Sequence, residues 1–209
     1  DYEVTKGIWT LKVRANGAFQ ASHAGDVFTY RFNSLGVGRG SNYRPFDLGR
    51  SDWSSINVTG DTIRWGDVYD GIDVSVRYIH DILKVDVIVK KALMNHIRDS
   101  VISGQIGQEE YLTARFDIPN AMITNTPKRG QEAVDIYEEN LAVDRPIHFE
   151  KDGKILHKLR PVSAYILDEE GNKIRMDNLT ESNIIRTAQL WNLKTNAPGM
   201  AEMSANLAD

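Results

Sequence analysis

Two runs of alternating apolar and polar residues, separated by a short polar break, stand at the centre of this sequence. The first extends from Ile72 to Tyr78 and the second from Leu83 to Val89, each with an apolar residue at every second position. Because successive side chains of a strand point to opposite faces, the pattern predicts two half-buried strands. The polar break at 80–81 favours an antiparallel hairpin. A slip of one residue would move a whole apolar set into water, so we expect a fixed register.

The polar faces of these two strands carry charges of opposite sign. Asp73 belongs to the first strand, and Lys84 and Asp86 belong to the second. We expect Asp73 to lie near Lys84 across the hairpin, in a solvent-exposed ion pair. Such a pair contributes at most about 1 kcal/mol to stability. The hairpin is therefore interpreted as scaffold, and function is sought in other parts of the chain.

Similar alternation recurs through most of the sequence. It predicts further strands at 8–14, 18–22, 27–33 and 111–118, and hairpins at 147–159 and 162–176, with Asn16-Gly17 as a hairpin turn. Residues 132–143 fit both a strand and a helix, and we favour a strand. Leu93, Ile97 and Val101 recur every fourth residue, which predicts one short helix that ends near Gly104.

The regular spacing of turn residues between these strands predicts a mainly β fold. We expect an antiparallel β-sandwich with one short helix over residues 1–177. The alternation is lost after residue 177, and 192–209 combines Pro198-Gly199 with several Ala, Asn and Met residues. Residues 178–209 are therefore predicted to form an extended arm or linker.

Composition narrows the possible partners of the chain. The net charge of -4 at pH 7 argues against general binding to nucleic acid or to anionic membranes. No apolar run approaches the roughly 20 residues that a membrane-spanning helix needs. There is no cysteine, which removes disulfide and thiol chemistry but leaves the compartment open. Since the sequence begins at Asp1 rather than Met, we expect a processed chain or a piece of a longer protein.

A long stretch rich in Gly, Ser and Asp, residues 34–61, separates the N-terminal strands from the central hairpin. Loops of this length often carry function. This one concentrates arginine and aromatic residues, which suit contacts with proteins or glycans, and its candidate binding residues are Arg39, Tyr43, Arg44, Phe46, Arg50 and Trp53. The alternative is that Phe46 and Trp53 close one end of the sandwich.

Other patterns give weak signals for chemistry. The glycines of GVGRG at 36–40 lack the spacing and the following helix of a phosphate-binding loop. Asp67, Asp70 and Asp73 occur every third residue and offer oxygens for a cation, but not with EF-hand spacing. His148 and His157 would bind metal only if they faced each other across their hairpin. We assign no catalytic residue, no metal and no cofactor, and we expect the chain not to be an enzyme.

The central stretch resembles a loosely defined group of phage virion proteins and bacterial exported surface proteins. The resemblance rests first on Ile63, Trp65, Val68, Tyr69 and Asp73, and then on Asp81, Leu83, Lys84, Asp86, Ile88 and Val89. YLTARFDIP at 111–119 and RPIHFEKDGK at 145–154 are similar to later strands of that group, so the resemblance covers roughly residues 55–175. It implies an N-terminal β-sandwich domain used as a structural or adhesive module, usually without catalysis.

Three functional hypotheses follow. The first is a non-enzymatic structural module of an extracellular assembly, foremost a bacteriophage virion (capsid, decoration, neck or tail), which contacts other protein subunits and forms a homo-oligomer. The second is a carbohydrate-binding or adhesive domain of an exported bacterial surface protein, with Trp53, Tyr43 and Tyr69 as stacking platforms. The third is a sandwich-fold lyase or mutarotase, for which the sequence supplies no complete set of catalytic residues. The predicted location is the virion or the extracellular space.

Overall fold

The structure is a computed structural model. The structure describes residues 2–6, 9–23, 26–79, 82–107, 110–118, 127–128, 136–140, 147–151, 154–159, 164–165, 167, 187–192 and 199–207. Within them the chain is mainly β, and its strands form two sheets. The prediction of a mainly β, sandwich-like fold with a single helix is confirmed for the described part.

The first sheet contains the N-terminal meander and the C-terminal strands. In spatial order its strands are β1 (Tyr2–Lys6), β2 (Trp9–Val13), β3 (Ala18–His23), β4 (Asp26–Val37), β10 (Tyr111–Ile118), β16 (Gly199–Asn206), β15 (Thr187–Asn192) and β12 (Ile136–Asn140), with the short β5 (Arg44–Pro45) beside β4. All of these neighbours pair antiparallel.

The second sheet is built around the central hairpin. In spatial order its strands are β11 (Pro127–Lys128), β13 (Ile147–Lys151), β14 (Lys154–Leu159), β9 (Ile82–Val89), β8 (Ile72–Ile79), β7 (Thr62–Tyr69) and β6 (Ile56–Thr59). The pairs are antiparallel except β14 with β9, which run parallel over two residue pairs. The helix α1 (Lys91–Ile102) follows β9. It is neither long nor apolar enough to cross a membrane, and no other described helix is.

The apolar faces of the two sheets share one core. Its largest fully buried side chains come from both sheets and from the helix, among them Leu11, Phe19, Leu35 and Phe116 of the first sheet, Ile63, Trp65 and Ile72 of the second, and Ile97 of α1. Burying a side chain of this size stabilises a fold by about 1.5–3 kcal/mol. The apolar residues that alternate along the strands of each sheet therefore face the same core.

Most of the predicted elements are present. The central hairpin, the N-terminal meander, the 111–118 strand, a strand within 132–143 and the 147–159 hairpin all form, and α1 ends just before Gly104, which has φ +76°. The 34–61 stretch is less irregular than expected, because β4 extends to Val37 and both β5 and β6 lie within it. The predicted 162–176 hairpin lies outside the described residues except for 164, 165 and 167.

The strand β7, which precedes the central hairpin, contains a β-bulge. Trp65 pairs with Val74 and Tyr69 pairs with Ile72, so three residues of β7 face one residue of β8. Within the bulge Asp67 has the left-handed φ of +48°, and its N–H donates to Oδ1 of Asp73 at 2.8 Å. The bulge changes the apolar spacing from two to three residues, which lets both Trp65 and Val68 reach the core.

The ion pair predicted across the central hairpin does not form. The register places Asp73 opposite Ile88, and it places Lys84 opposite Arg77. Asp73 is buried, at 3% exposure, and it pairs with Arg64 and Lys90 instead. The prediction was wrong because it took β8 for a strand with one face in water, whereas the polar residues at 73 and 75 are buried as well.

The predicted C-terminal arm is not established by the structure. In the described part of 178–209, β16 lies between β10 and β15, and the end of the chain therefore belongs to the first sheet. The side chains of Ala201, Glu202 and Ser204 are at most 2% exposed. Alternation is present in this strand, but small Ala and polar Glu and Ser residues carry it, so the sequence pattern resembled a linker.

Candidate functional site: the loop between the two sheets

The start of the 34–61 loop is fixed to the outer face of the first sheet by a buried glutamate. Glu202 of β16 is 1% exposed, and its Oε2 accepts the Gly40 backbone N–H at 2.8 Å. Its Oε1 accepts from Arg115 of β10, whose guanidinium also donates to the Gly40 carbonyl at 3.2 Å. A buried carboxylate is stable only when it is paired and hydrogen-bonded. Glu202 satisfies this condition by holding the loop in place.

Hydroxyl groups extend this contact along the same face. Thr113 is fully buried and donates from Oγ1 to the Gly38 carbonyl at 2.7 Å. The hydroxyl of Ser204 lies 2.7 Å from Thr113 Oγ1. The Gly38 N–H donates to the Tyr111 carbonyl at 2.9 Å. Since the N–H groups of Gly38 and Gly40 are both used internally, this loop does not present them to a phosphate group.

Tyr43, near the start of the loop, is held by Arg115 and Ser34. The Arg115 guanidinium lies 3.8 Å from the ring centroid of Tyr43, whose hydroxyl is 2.7 Å from Ser34 Oγ. Burial raises the pKa of Tyr43 above its ordinary value, and the Ser34 hydrogen bond and Arg115 oppose that shift. The tyrosine is therefore a neutral structural group at physiological pH.

Two other predicted binding residues are similarly engaged. The guanidinium of Arg39 lies 4.0 Å above the ring of Tyr111. Arg44 is exposed and forms an ion pair with Glu110 at 2.6 Å. Both arginines reach the surface, and both are positioned by a neighbour on β10 or directly before it. The loop thus presents cations in defined places rather than on a freely moving segment.

The second half of the loop closes one end of the sandwich. Phe46 and Trp53 pack against the core, and the ring of Trp53 meets that of Trp65 edge to face, at a centroid distance of 5.4 Å. Gly17 lies against the six-membered ring of Trp53, where an added Cβ would come within 2.3 Å of it, and its φ of +74° also favours glycine. The alternative interpretation of Phe46 and Trp53 as closing residues agrees with this packing.

A shallow groove of about 460 Å³ runs beside Trp53. Its walls combine aromatic, small and charged residues: Arg14, Ala15, Ser51, Asp52, Trp53, Ser54, Ile56 and Trp65. Hydrogen bonds from Ser54 hold the pKa of the exposed Asp52 carboxyl below its ordinary value. Arg50 is exposed next to this groove in sequence and completes the six predicted residues. The structure brings Arg39, Tyr43 and Arg44 to the outer face of the first sheet, and Phe46 and Trp53 to the end of the sandwich.

The predicted cation positions are occupied by side chains of the protein. The ammonium of Lys90 lies 2.5 Å from Asp67 Oδ1 and 3.2 Å from Asp73 Oδ1, where a bound cation would have to be. Burial alone would raise the pKa of Asp73, but the Asp67 N–H, Arg64 and Lys90 together hold it below its ordinary value. In the described part of the chain, no three metal-binding side chains converge.

The two histidines considered for metal binding are not cross-strand partners. The register pairs His148 with Lys158 and pairs Phe149 with His157. The two positions are therefore not directly opposite each other, which the predicted cross-strand pair required.

Sequence reasoning missed the two residues that organise the site, Arg115 and Glu202. Arg115 lies in the predicted 111–118 strand, but its partner lies 87 residues further along the chain, in the predicted arm. One available signal was the period-two alternation of Glu202, Ser204 and Asn206 with Ala201, Met203 and Ala205. A charged residue in a strand either faces solvent or pairs with another group of the protein. Glu202 pairs with Arg115.

Comparisons of this chain with protein-family models, with curated proteins and with solved structures give no match.

Proposed function

We propose that this chain is a non-enzymatic structural module of an extracellular assembly, foremost a bacteriophage virion, and that it contacts other protein subunits of that assembly. The supporting observation is the 38–43 segment and Arg44 next to it. Glu202 and Arg115 hold the backbone of this segment at Gly40, and Arg115 contacts the ring of Tyr43. Its two arginines are positioned by Tyr111 and Glu110. Arginine and tyrosine are enriched in protein interfaces. A surface that is already ordered loses less conformational entropy on binding than a mobile loop does.

The sheet edges give a second reason for a role in assembly. In the described part of the chain β1, β6, β11 and β12 each have a neighbour on one side only. The edge strand β6 is largely exposed and includes Val58, at 43% exposure. An open edge can accept an extended segment of another protein through backbone hydrogen bonds. The two features together suit a module surrounded by other subunits.

The virion as the assembly rests on the resemblance of the 63–89 stretch to phage virion proteins. Several residues of that motif lie in or next to the bulge of β7. The bulge uses Trp65, Val68 and Asp73, which are three of the residues that carry the motif, in one local structure. A motif of this kind specifies a scaffold, and the proposed function is accordingly architectural.

Sedimentation velocity over a range of protein concentrations tests the proposal. The wild-type chain is expected to associate, and Arg44→Glu, which reverses an exposed charge of the proposed surface, is expected to weaken association about tenfold, the effect of losing about 1.4 kcal/mol. Arg98→Glu on the exposed face of α1 is the matched control and should associate as the wild type does. A wild-type chain that stays monomeric at every concentration would contradict the proposal.

The groove beside Trp53 supports the alternative of a carbohydrate-binding module, because its volume lies within the range of small-ligand sites. The three aromatic residues predicted to stack on a sugar are less favourable to carbohydrate binding, because each already contacts another part of the protein. Trp53 has Gly17 against its ring, Tyr43 contacts Arg115, and the hydroxyl of Tyr69 donates to the Asn33 carbonyl at 2.8 Å. A saturable signal on a glycan array that Asp52→Asn abolishes would favour the alternative over subunit assembly.

A further inference from the structure

The edge strand β6 contains neither a charged residue nor a proline. It is the last strand of the second sheet in the part of the chain that the structure describes, and its sequence is INVT. Charged residues and proline are the usual protection of a sheet edge against pairing with another chain. The strands at the other sheet ends all have them: Glu3 and Lys6 in β1, Pro127 and Lys128 in β11, and Glu138 and Glu139 in β12.

The backbone of β6 directs a regular set of hydrogen-bonding groups away from β7. The Gly66 N–H donates to the Ser55 carbonyl at 2.9 Å, and this pair continues the β6–β7 register by one position. Ser55 is therefore a hydrogen-bonded position of the ladder, and such positions alternate along an antiparallel strand. It follows that the N–H and C=O groups of Ile56 and Val58 point outward, at the edge of the sheet.

The apolar side chains of β6 continue the core as far as this edge. Ile56 and Val58 lie opposite Trp65 and Ile63 of β7, which are both fully buried. Ile56 packs against the core and lines the groove beside Trp53, whereas Val58 is 43% exposed. An apolar side chain placed next to Ile56 by a further strand would therefore extend the core and lose its contact with water.

We propose that two copies of this chain pair antiparallel along β6 and form a two-fold symmetric dimer. When the outward-facing backbone groups are joined, Ile56 of each copy lies opposite Val58 of the other, and the two Asn57 residues face each other on the axis. Both Ile56–Val58 pairs exchange N–H···O bonds in each direction. Each exposed Val58 is then covered beside Ile56, at the groove of the other copy.

The strand itself favours a second copy as the partner. In this register an aliphatic side chain lies opposite an aliphatic one and an amide lies opposite an amide, so the strand is complementary to itself. Like charges at directly opposite positions destabilise a sheet, and β6 has no charge that would oppose its own copy. The inference rests on the proposed role in assembly, and it names one contact of that assembly.

The absence of cysteine from the chain allows this register to be tested by cross-linking. Asn57→Cys would place two thiols at directly opposite positions with Cα atoms about 4.5 Å apart, which is within the range of a disulfide. Thr59→Cys is the matched control: its hydroxyl donates to Asn57 Oδ1 at 3.3 Å on the same exposed face, but its two copies would lie about 13 Å apart along the strands. On air oxidation Asn57→Cys should form a covalent dimer at least about tenfold faster than Thr59→Cys.

Val58→Lys tests the same contact without a disulfide. The lysine would lie opposite Ile56 of the other copy and would charge the edge, so the dissociation constant of the dimer should rise at least about tenfold in sedimentation. Ile102→Lys is the control, because Ile102 on α1 is also a large exposed apolar residue, at 74% exposure, and this variant should associate as the wild type does. Both variants should keep the thermal midpoint within about 2 °C of wild type, as surface substitutions do.

Equal rates of cross-linking for the two cysteine variants, or equal association of wild type and Val58→Lys, would overturn the inference. If the wild type then still associates and Arg44→Glu weakens that association, the proposed function is retained without the β6 contact. A dimer that Val58→Lys abolishes and Arg44→Glu leaves unchanged would support the β6 contact and count against the 38–44 surface. A wild type that stays monomeric, with no cross-linking of Asn57→Cys, would contradict both.

Discussion

Asp73 shows how one buried carboxylate can determine the backbone around it. Its Oδ1 accepts the N–H of Asp67, the residue of the bulge with φ +48°. A left-handed φ is unfavourable for a residue other than glycine, and it persists where the surroundings compensate for it. The same carboxylate pairs with Arg64 and Lys90. The bulge and the ion pairs therefore stabilise each other.

Replacement of this carboxylate should destabilise the protein in a pH-dependent way. Because the pKa of Asp73 is lowered in the folded state, its contribution is complete well above the ordinary value of 3.8 and is lost as the pH falls through the lowered value. We expect Asp73→Asn to lower the free energy of unfolding by about 2–3 kcal/mol at pH 7. The difference from wild type should shrink steadily below about pH 4. Urea unfolding at a series of pH values measures both effects.

Asp61→Asn, in the exposed turn between β6 and β7, is the control for this experiment. A substitution at such a position should change stability by no more than about 0.5 kcal/mol. A loss for Asp73→Asn that stays constant from neutral to acidic pH would show that packing, rather than the charge of Asp73, stabilises the bulge.

At the scale of elements, the loop at 38–43 depends on a strand from the other end of the sequence. The Gly40 N–H and its acceptor on Glu202 are 162 residues apart, and both Arg115 and Thr113 on β10 support the same segment. The loop therefore behaves as a layer on the outer face of the first sheet. Its order depends on the pairing of β10 with β16.

Glu202→Gln tests this dependence. The amide keeps one acceptor, but it removes the charge that balances Arg115 in a buried place, so we expect a loss of about 3 kcal/mol in unfolding free energy. Amide hydrogen exchange at Gly40 and Asn42 should become faster than in wild type, because the loop loses its contact with the sheet.

Glu3→Gln is the matched control, since Glu3 pairs with Lys12 at 3.1 Å but is 53% exposed, and an exposed pair contributes about 0–1 kcal/mol. Unchanged exchange at Gly40 in Glu202→Gln would contradict the role assigned to Glu202.

Features that depend on neighbouring residues could be predicted from the sequence, and features that depend on strand pairing could not. Alternation and turn residues are local, so β8, β9 and the meander β2–β4 were visible from their own residues. Bulges are local as well, but they depend on which residue the partner strand places opposite them, as at Asp67. The partners of Glu202 and Arg115, and the cation Arg77 opposite Lys84, depend on register and on sheet order, which no single stretch contains.

For the whole molecule, the chief consequence is the place of the C-terminal strand. β16 lies between β10 and β15 in the first sheet, and Ala201 reaches the common core. Contacts between such distant parts of the chain have a high cost in loop-closure entropy, and they form only when most of the fold is in place. The last strand therefore completes the first sheet, where the sequence alone predicted an appendage.

Removal of residues 199–209 distinguishes these two views. An arm could be lost without effect on the rest, but the loss of β16 would expose the edge of β10, leave Arg115 without Glu202 and open the core at Phe116. We expect the truncated chain to lose cooperative thermal unfolding and to be cleaved by protease within the first sheet, while removal of residues 208–209 alone leaves the midpoint unchanged. A truncated chain that unfolds cooperatively at the wild-type temperature would show that β16 is dispensable and would return the C-terminus to the role of an arm. Because β16 also supplies the carboxylate that orders the 38–43 loop, the same truncation should abolish any association that depends on that loop.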